Sequence, residues 1–147
     1  MKETLVIDAS IAVKWVIKEE GTENALGLRL AFQFVAPQLL IAESANILYK
    51  KVQRGQLLLE EAILASRLLE RSGIDFASMQ GLLEPATELA ISLSHPAYDC
   101  IYLALARQKQ ARFVTADQRL LRTISNRAPG QLADLCVSLT ELAGTTH

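Results

Sequence analysis

The pattern that most constrains this chain is an alternation of short β-branched runs with longer amphipathic stretches. Thr4 to Ile7, Phe32 to Ala36, Ile74 to Phe76, Arg112 to Thr115 and Leu135 to Leu139 have the length and composition of strands. Between them the apolar residues recur at helical spacing. A helix over Ile11 to Ile17 takes Ser10 as its cap, and a second covers Glu23 to Ala31. Pro37 takes the first position of a third, which runs to about Arg54 and stops at Gly55. Leu58 to Arg71, Leu83 to Leu93, Pro96 to Gln108 and Gln118 to Ser125 complete the set, and Pro129 and Gly130 mark a late loop. Strands that alternate with helices imply an α/β domain with a mainly parallel sheet flanked by helices. With 147 residues and no linker, repeat or low-complexity tract, one domain is expected over 1–147, its last few residues forming a short tail.

The bulk properties exclude several classes. Half of the residues are apolar and 21% are charged, which is ordinary for a soluble domain. The longest apolar stretch, Phe34 to Ala42, is interrupted by Pro37 and Gln38. It falls far short of the roughly 20 residues a membrane helix needs. Met1-Lys2-Glu3 leads straight into a strand and has none of the parts of a signal peptide. Cys100 and Cys136 sit in apolar surroundings without metal-ligand spacing, so reduced core thiols and a cytoplasmic location are expected. The net charge of −1 does not announce a nucleic-acid binder, but its distribution is uneven. Arg107, Lys109, Arg112, Arg119, Arg122 and Arg127 face a single acid, Asp117, within one stretch; Lys50, Lys51 and Arg54 form a second group. Such runs are either solvated helix faces or phosphate-facing patches.

Four acids stand where surface acids do not. Asp8 ends the strand Leu5-Val6-Ile7, and Asp117 follows Phe113-Val114-Thr115. Ligands of open parallel sheets gather at such carboxyl ends, although turn chemistry explains a lone Asp8 and helix capping a lone Asp117. Glu43 falls on the margin of the apolar face of its helix, with Leu39 one turn before and Ile47 one turn after. A carboxylate placed there wants a cation or a donor, unless it snorkels or pairs with Lys50. Asp99 lies in Tyr98-Asp99-Cys100-Ile101-Tyr102-Leu103-Ala104, a helix apolar almost all round. The helix dipole offers it about 0.3–1 kcal/mol, less than the several kcal/mol that burying an unpaired charge costs. Asp99 needs company. Carboxylates gathered in this way repel one another, and hard divalent cations such as Mg²⁺ and Mn²⁺ take oxygen ligands of this type.

These residues resemble the motifs of the PIN-domain nucleases, and the match to the VapC-type toxins of toxin–antitoxin pairs is close. Val6-Ile7-Asp8-Ala9-Ser10 is similar to the first motif, a strand ending in Asp-x-Ser. Pro37 to Leu48, with Glu43 and Asn46, is similar to the second, and Tyr98 to Ala104 to the third. Phe113-Val114-Thr115-Ala116-Asp117 is similar to the fourth, Thr-x-Asp after a strand. All four occur in order between residues 6 and 117. The resemblance implies a Rossmann-like sheet and a Mg²⁺- or Mn²⁺-dependent endoribonuclease. It also implies a homodimer and a small antitoxin that covers the acidic site. On it Asp8 and Asp99 become the principal metal ligands, Glu43 and Asp117 complete the pocket, and Ser10, Asn46 and Thr115 orient carboxylates or waters. The ion would activate water and neutralise the scissile phosphate, leaving 5′-phosphate and 3′-hydroxyl ends. Arg119 and Arg122, beside Asp117, are the candidates for contacts to RNA phosphates.

Competing chemistries lack residues. A haloacid-dehalogenase-type phosphatase needs an acid where Ser10 stands. A receiver domain needs an acid pair and a late Lys where Ala9 and Thr140 stand. Ribonuclease chemistry on two imidazoles would have only His95, read as a helix-edge residue, and the terminal His147, and zinc lacks ligands for the same reason. Two alternatives stay open: a non-catalytic PIN-like module that acts by binding protein, and a housekeeping PIN nuclease outside any toxin pair.

Overall fold

A computed structural model of the chain describes residues 1–145; the expected tail at 146–147, with His147, lies outside the described residues. The chain runs β1 (Glu3–Ile7), α1 (Ala9–Val16), α2 (Thr22–Ala31), β2 (Phe32–Pro37), α3 (Leu39–Gln53), α4 (Leu59–Glu70) and β3 (Asp75–Ala77). It continues through α5 (Leu83–Leu93), α6 (Ala97–Lys109), β4 (Arg112–Thr115), α7 (Gln118–Arg127), α8 (Gly130–Ala133), β5 (Cys136–Ser138) and α9 (Leu139–Thr145). The five strands form one sheet in the order β3-β2-β1-β4-β5, and every pair is parallel.

β1 is the middle strand, and Leu5, Val6 and Ile7 are wholly buried. This is why it reads as a continuous apolar run rather than an alternating one: helices cover both its faces. From β1 the chain steps outward to β2 and β3, then returns across the sheet to β4 and β5. Right-handed crossovers made in opposite directions put their helices on opposite faces. Accordingly α1 packs with α2, α3 and α4 on one side, whereas α6, flanked by α5, lies across β1, β2 and β4 on the other. Trp15 of α1 meets Phe34 edge-on at 4.8 Å between ring centroids and donates its indole N–H to the Ala25 carbonyl at 2.9 Å. Tyr102 of α6 stacks on Phe113 of β4 at 5.9 Å.

Several local expectations change. The cap of α1 is Asp8 rather than Ser10, because its carboxylate reaches the Ser10 N–H. Pro37 ends β2, paired with Ala77, instead of opening α3. It lies beyond the last residue of β2 that pairs with β1, so its missing N–H leaves no gap in that ladder. The loop after Pro129 contains the single turn α8, and Leu139 starts α9 instead of ending β5. Cys100 is buried and Cys136 half-buried, and both are free thiols. Among the described residues, no helix is long and apolar enough to cross a membrane.

Candidate active site

The chain reverses its progress across the sheet between β1 and β4, and ligands of open parallel sheets gather beyond the carboxyl ends of the strands at such a switch point. Ile7 is level with Val114, so the next residues, Asp8 and Thr115, meet at these strand ends. Asp8 Oδ1 accepts the Ser10 N–H at 3.1 Å and the Ser10 hydroxyl at 2.5 Å; Oδ2 accepts the Thr115 hydroxyl at 2.5 Å. Each hydroxyl is itself held by a backbone donor of the turn after β4. Ala116 N–H reaches Ser10 Oγ at 3.0 Å, and Asp117 N–H reaches Thr115 Oγ1 at 3.1 Å. The carboxylate is thus laced to both strand ends by neutral donors only.

Asp8 is 7% exposed, and among the described residues no basic side chain pairs with it. Burial pushes its carboxyl up to about 6; the Ser10 and Thr115 hydroxyls pull it back, and the charges of Asp99 and Glu43 push it further. Glu43, half-buried on α3, accepts the Tyr102 hydroxyl on Oε1 at 2.5 Å. Burial raises its carboxyl above the usual range, the Tyr102 hydrogen bond lowers it, and Asp99 raises it again. The Tyr102 phenol is itself raised, by burial first, then by Glu43, with Asp8 and Asp99 adding. Asp8, Glu43 and Asp99 therefore share one electrostatic neighbourhood, built from β1, α3 and α6.

Asp99 is half-buried in the first turn of α6, and its Oδ2 lies 2.6 Å from His95 Nε2. Asp117 stands apart. It is exposed, caps α7 through the N–H groups of Arg119 and Leu120, and reaches Asp8 only through Thr115. Of the three supporting candidates, Ser10 and Thr115 touch Asp8, whereas Asn46 is exposed one turn beyond Glu43 with no side-chain hydrogen bond among the described residues. The basic run divides in the same way. Arg112 is paired with Glu3, and Arg127 is bonded to the Leu93 carbonyl. Arg119 and Arg122 are exposed, with neither guanidinium engaged among the described residues.

Glu43 Oε2, Asp99 Oδ1 and Asp117 Oδ2 accept nothing from the described residues, so each carboxylate keeps an oxygen to offer. Hard oxygen donors with uncompensated charge fit a divalent cation such as Mg²⁺ or Mn²⁺. Among the described residues, however, no three His, Cys, Asp or Glu side chains converge into a ready-made metal cage. Asp99 is turned to His95, and Asp117 to its own helix.

Two residues of the site escape sequence reasoning. Tyr102 lies three residues after Asp99, on the same helix face, which is a usable signal. His95 has the sequence character of a helix-edge residue, and its position before Pro96 conceals that its ring folds back onto Asp99.

The PIN domain family model matches residues 5–125. The ribonuclease VapC9 of Mycobacterium tuberculosis is 31% identical over 125 residues, covering 85% of this chain and 94% of that protein. The ribonuclease VapC3 of Pyrobaculum aerophilum is also 31% identical, covering 79% of this chain and 91% of its own length. Among solved structures, PAE2754 from Pyrobaculum aerophilum superposes with a TM-score of 0.69 at 18% identity, covering 99% of this chain and 97% of that one. A toxin–antitoxin complex from Klebsiella pneumoniae gives a TM-score of 0.61 at 15% identity, with 92% of this chain and 97% of that chain covered. These structural likenesses carry the fold.

Proposed function

The chain belongs to the PIN-domain family, and from that premise we propose that it is a metal-dependent endoribonuclease, the toxin of a VapC-type toxin–antitoxin pair. The observation that carries the proposal is the trio Asp8, Glu43 and Asp99. Three carboxylates share one electrostatic neighbourhood beyond the ends of parallel strands, and among the described residues neutral hydroxyls rather than cations hold the deepest of them. An arrangement that raises the energy of its own charged form is a functional signature rather than a stabilising one.

Asp8 and Asp99 would hold the ion, with Glu43 and Asp117 supporting it. Bound there, a divalent cation supplies Lewis acidity and charge neutralisation at a scissile phosphate. The chain's own part is to position. Ser10 and Thr115 fix the Asp8 carboxylate, Tyr102 fixes Glu43, and Ile7, Leu103 and Phe113 belong to the buried core beneath the strand ends. A cytoplasmic homodimer, with an antitoxin that covers the acids, belongs to the same proposal.

The test is metal linkage. Mn²⁺ at a hundred times its Kd should stabilise the wild type by about 2.7 kcal/mol, which appears as a higher Tm. Asp99→Asn should lose that increment, along with Mn²⁺-dependent cleavage of RNA into fragments with 5′-phosphate ends. Equal metal responses in the two proteins would remove the shared site.

Substrate binding has its own check. Arg119 and Arg122 sit one helical turn apart on α7, directly after Asp117, with guanidinium groups that none of the described residues engages. Replacing either by Ala in a cleavage-dead background should weaken single-stranded RNA binding irrespective of sequence. The slope of log K against log salt should become shallower by about 0.7 for each phosphate that the variant no longer neutralises. An unchanged slope would assign these arginines to the solvated surface.

A further inference from the structure

The segment joining α5 to α6 is built with more care than a connector requires. Ser94 adopts the left-handed conformation, with φ 49°, which a non-glycine residue enters at a cost. Arg127, reaching over from α7, clamps the turn by donating to the carbonyl of Leu93 at 2.8 Å and of Ser94 at 3.5 Å. The His95 N–H closes it on the Ala90 carbonyl at 3.1 Å, and Pro96 fixes the entry to α6 with φ −53°. The product of this construction is the placement of one side chain. His95 is 16% exposed, and its Nε2 stands 2.6 Å from Asp99 Oδ2. The two are four residues apart, yet His95 precedes the helix, so this is not the usual ion pair along a helix face.

That contact is the sole hydrogen bond to the Asp99 carboxylate among the described residues. A carboxylate oxygen accepts, so in this contact the imidazole is read as the donor. With Oδ2 held by the imidazole, Oδ1 accepts no hydrogen bond from the described residues.

We infer that His95 is a positioning residue for this centre: the strained, arginine-clamped turn exists to hold its imidazole against Asp99, which fixes one oxygen and presents the other to the cation. The inference rests on the reading of Asp99 as a metal ligand. Hydrogen-bond partners of ligating groups restrict their rotamers, and losing such a partner weakens metal binding about 10- to 100-fold.

The experiment is calorimetric titration of the metal-free protein with Mn²⁺ alone, alongside its Tm without metal. The variants are His95→Ala, His95→Phe, which keeps a ring without the donor, His95→Gln, which keeps a donor at about the reach of Nε2, and Asp99→Asn. His95→Ala and His95→Phe should raise the Kd about 10- to 100-fold, whereas His95→Gln should stay close to the wild type. A purely structural histidine would move the metal-free Tm in its variants and leave the Kd alone. Wild-type Kd values in both His95→Ala and His95→Phe overturn the inference; if Asp99→Asn then abolishes binding, the metal reading survives. A Gln variant as weak as the Ala variant also overturns it, because the donor would not be what matters. No binding by the wild type removes both.

Discussion

Asp8→Asn should give a protein that melts higher than the wild type at neutral pH without metal and no longer cuts RNA. The two effects share one cause. Burial and the charges of Asp99 and Glu43 hold the Asp8 carboxyl at about 6 in the fold, against 3.8 as its ordinary value. A folded-state value above the unfolded one means that the native state binds the proton more tightly. The associated stability is complete below pH 3.8 and is lost as the pH rises through 6. At neutral pH the ionised carboxylate then costs the metal-free fold about 3 kcal/mol.

Asn removes the charge and still caps α1. It cannot accept on both sides, so one of the Ser10 and Thr115 hydroxyls must turn, which offsets part of the gain. A net gain of about 1–2 kcal/mol remains, or about 3–8 °C in Tm for a chain of this size. Melting curves of both metal-free proteins between about pH 4 and 7.5 check the sign. The difference should be small or reversed at the acid end and should grow in favour of Asn as the pH rises. Cleavage should meanwhile fall by at least about 10²–10³-fold, the size of losing one charge-stabilising group at a reacting centre. A mutant destabilised at the alkaline end would mean that the carboxylate is part of the scaffold.

The frame of the molecule is legible because its strands and helices obey different periods. β1, β4 and α5 fall where periodicity puts them, and the all-parallel order follows from the crossovers. What is not legible depends on competition between partners distant in sequence. Ser10 is as good a cap as Asp8 by composition; Thr115, 107 residues away, pins the Asp8 carboxylate and helps to decide the matter. Pro37 has the local character of a helix start, yet pairing with β3 draws it into the sheet. The acids behave similarly. Their types and spacings point to a cluster, and three of them do share one field, but no spacing rule shows that Asp117 spends one oxygen on its own helix or that Asp99 turns to an imidazole. Orientation, unlike placement, is set by the last few ångströms of packing.

Expression without a partner in a bacterial host should arrest growth and leave cellular RNA cut with 5′-phosphate ends. Four carboxylates alone argue only for a nuclease; the toxin role rests on the family and on the relatives that are 31% identical to this chain. Growth separates the two, because a housekeeping nuclease at moderate level is tolerated. Asp8→Asn should grow normally at an equal soluble level, since the change halves the oxygen donors at that position and removes a charge the cation requires. It should also remain folded, for the reasons given by its protonation. An antitoxin would recognise the same charge: a basic side chain placed against the trio removes the repulsion that raises Asp8 and Glu43. Such a partner should therefore bind the wild type more tightly than Asp8→Asn and restore growth. If both proteins are harmless, the toxin role fails and the nuclease stands on its cleavage assay. If both arrest growth, harm comes from binding or aggregation, and the chemistry assigned to Asp8 is refuted in the cell.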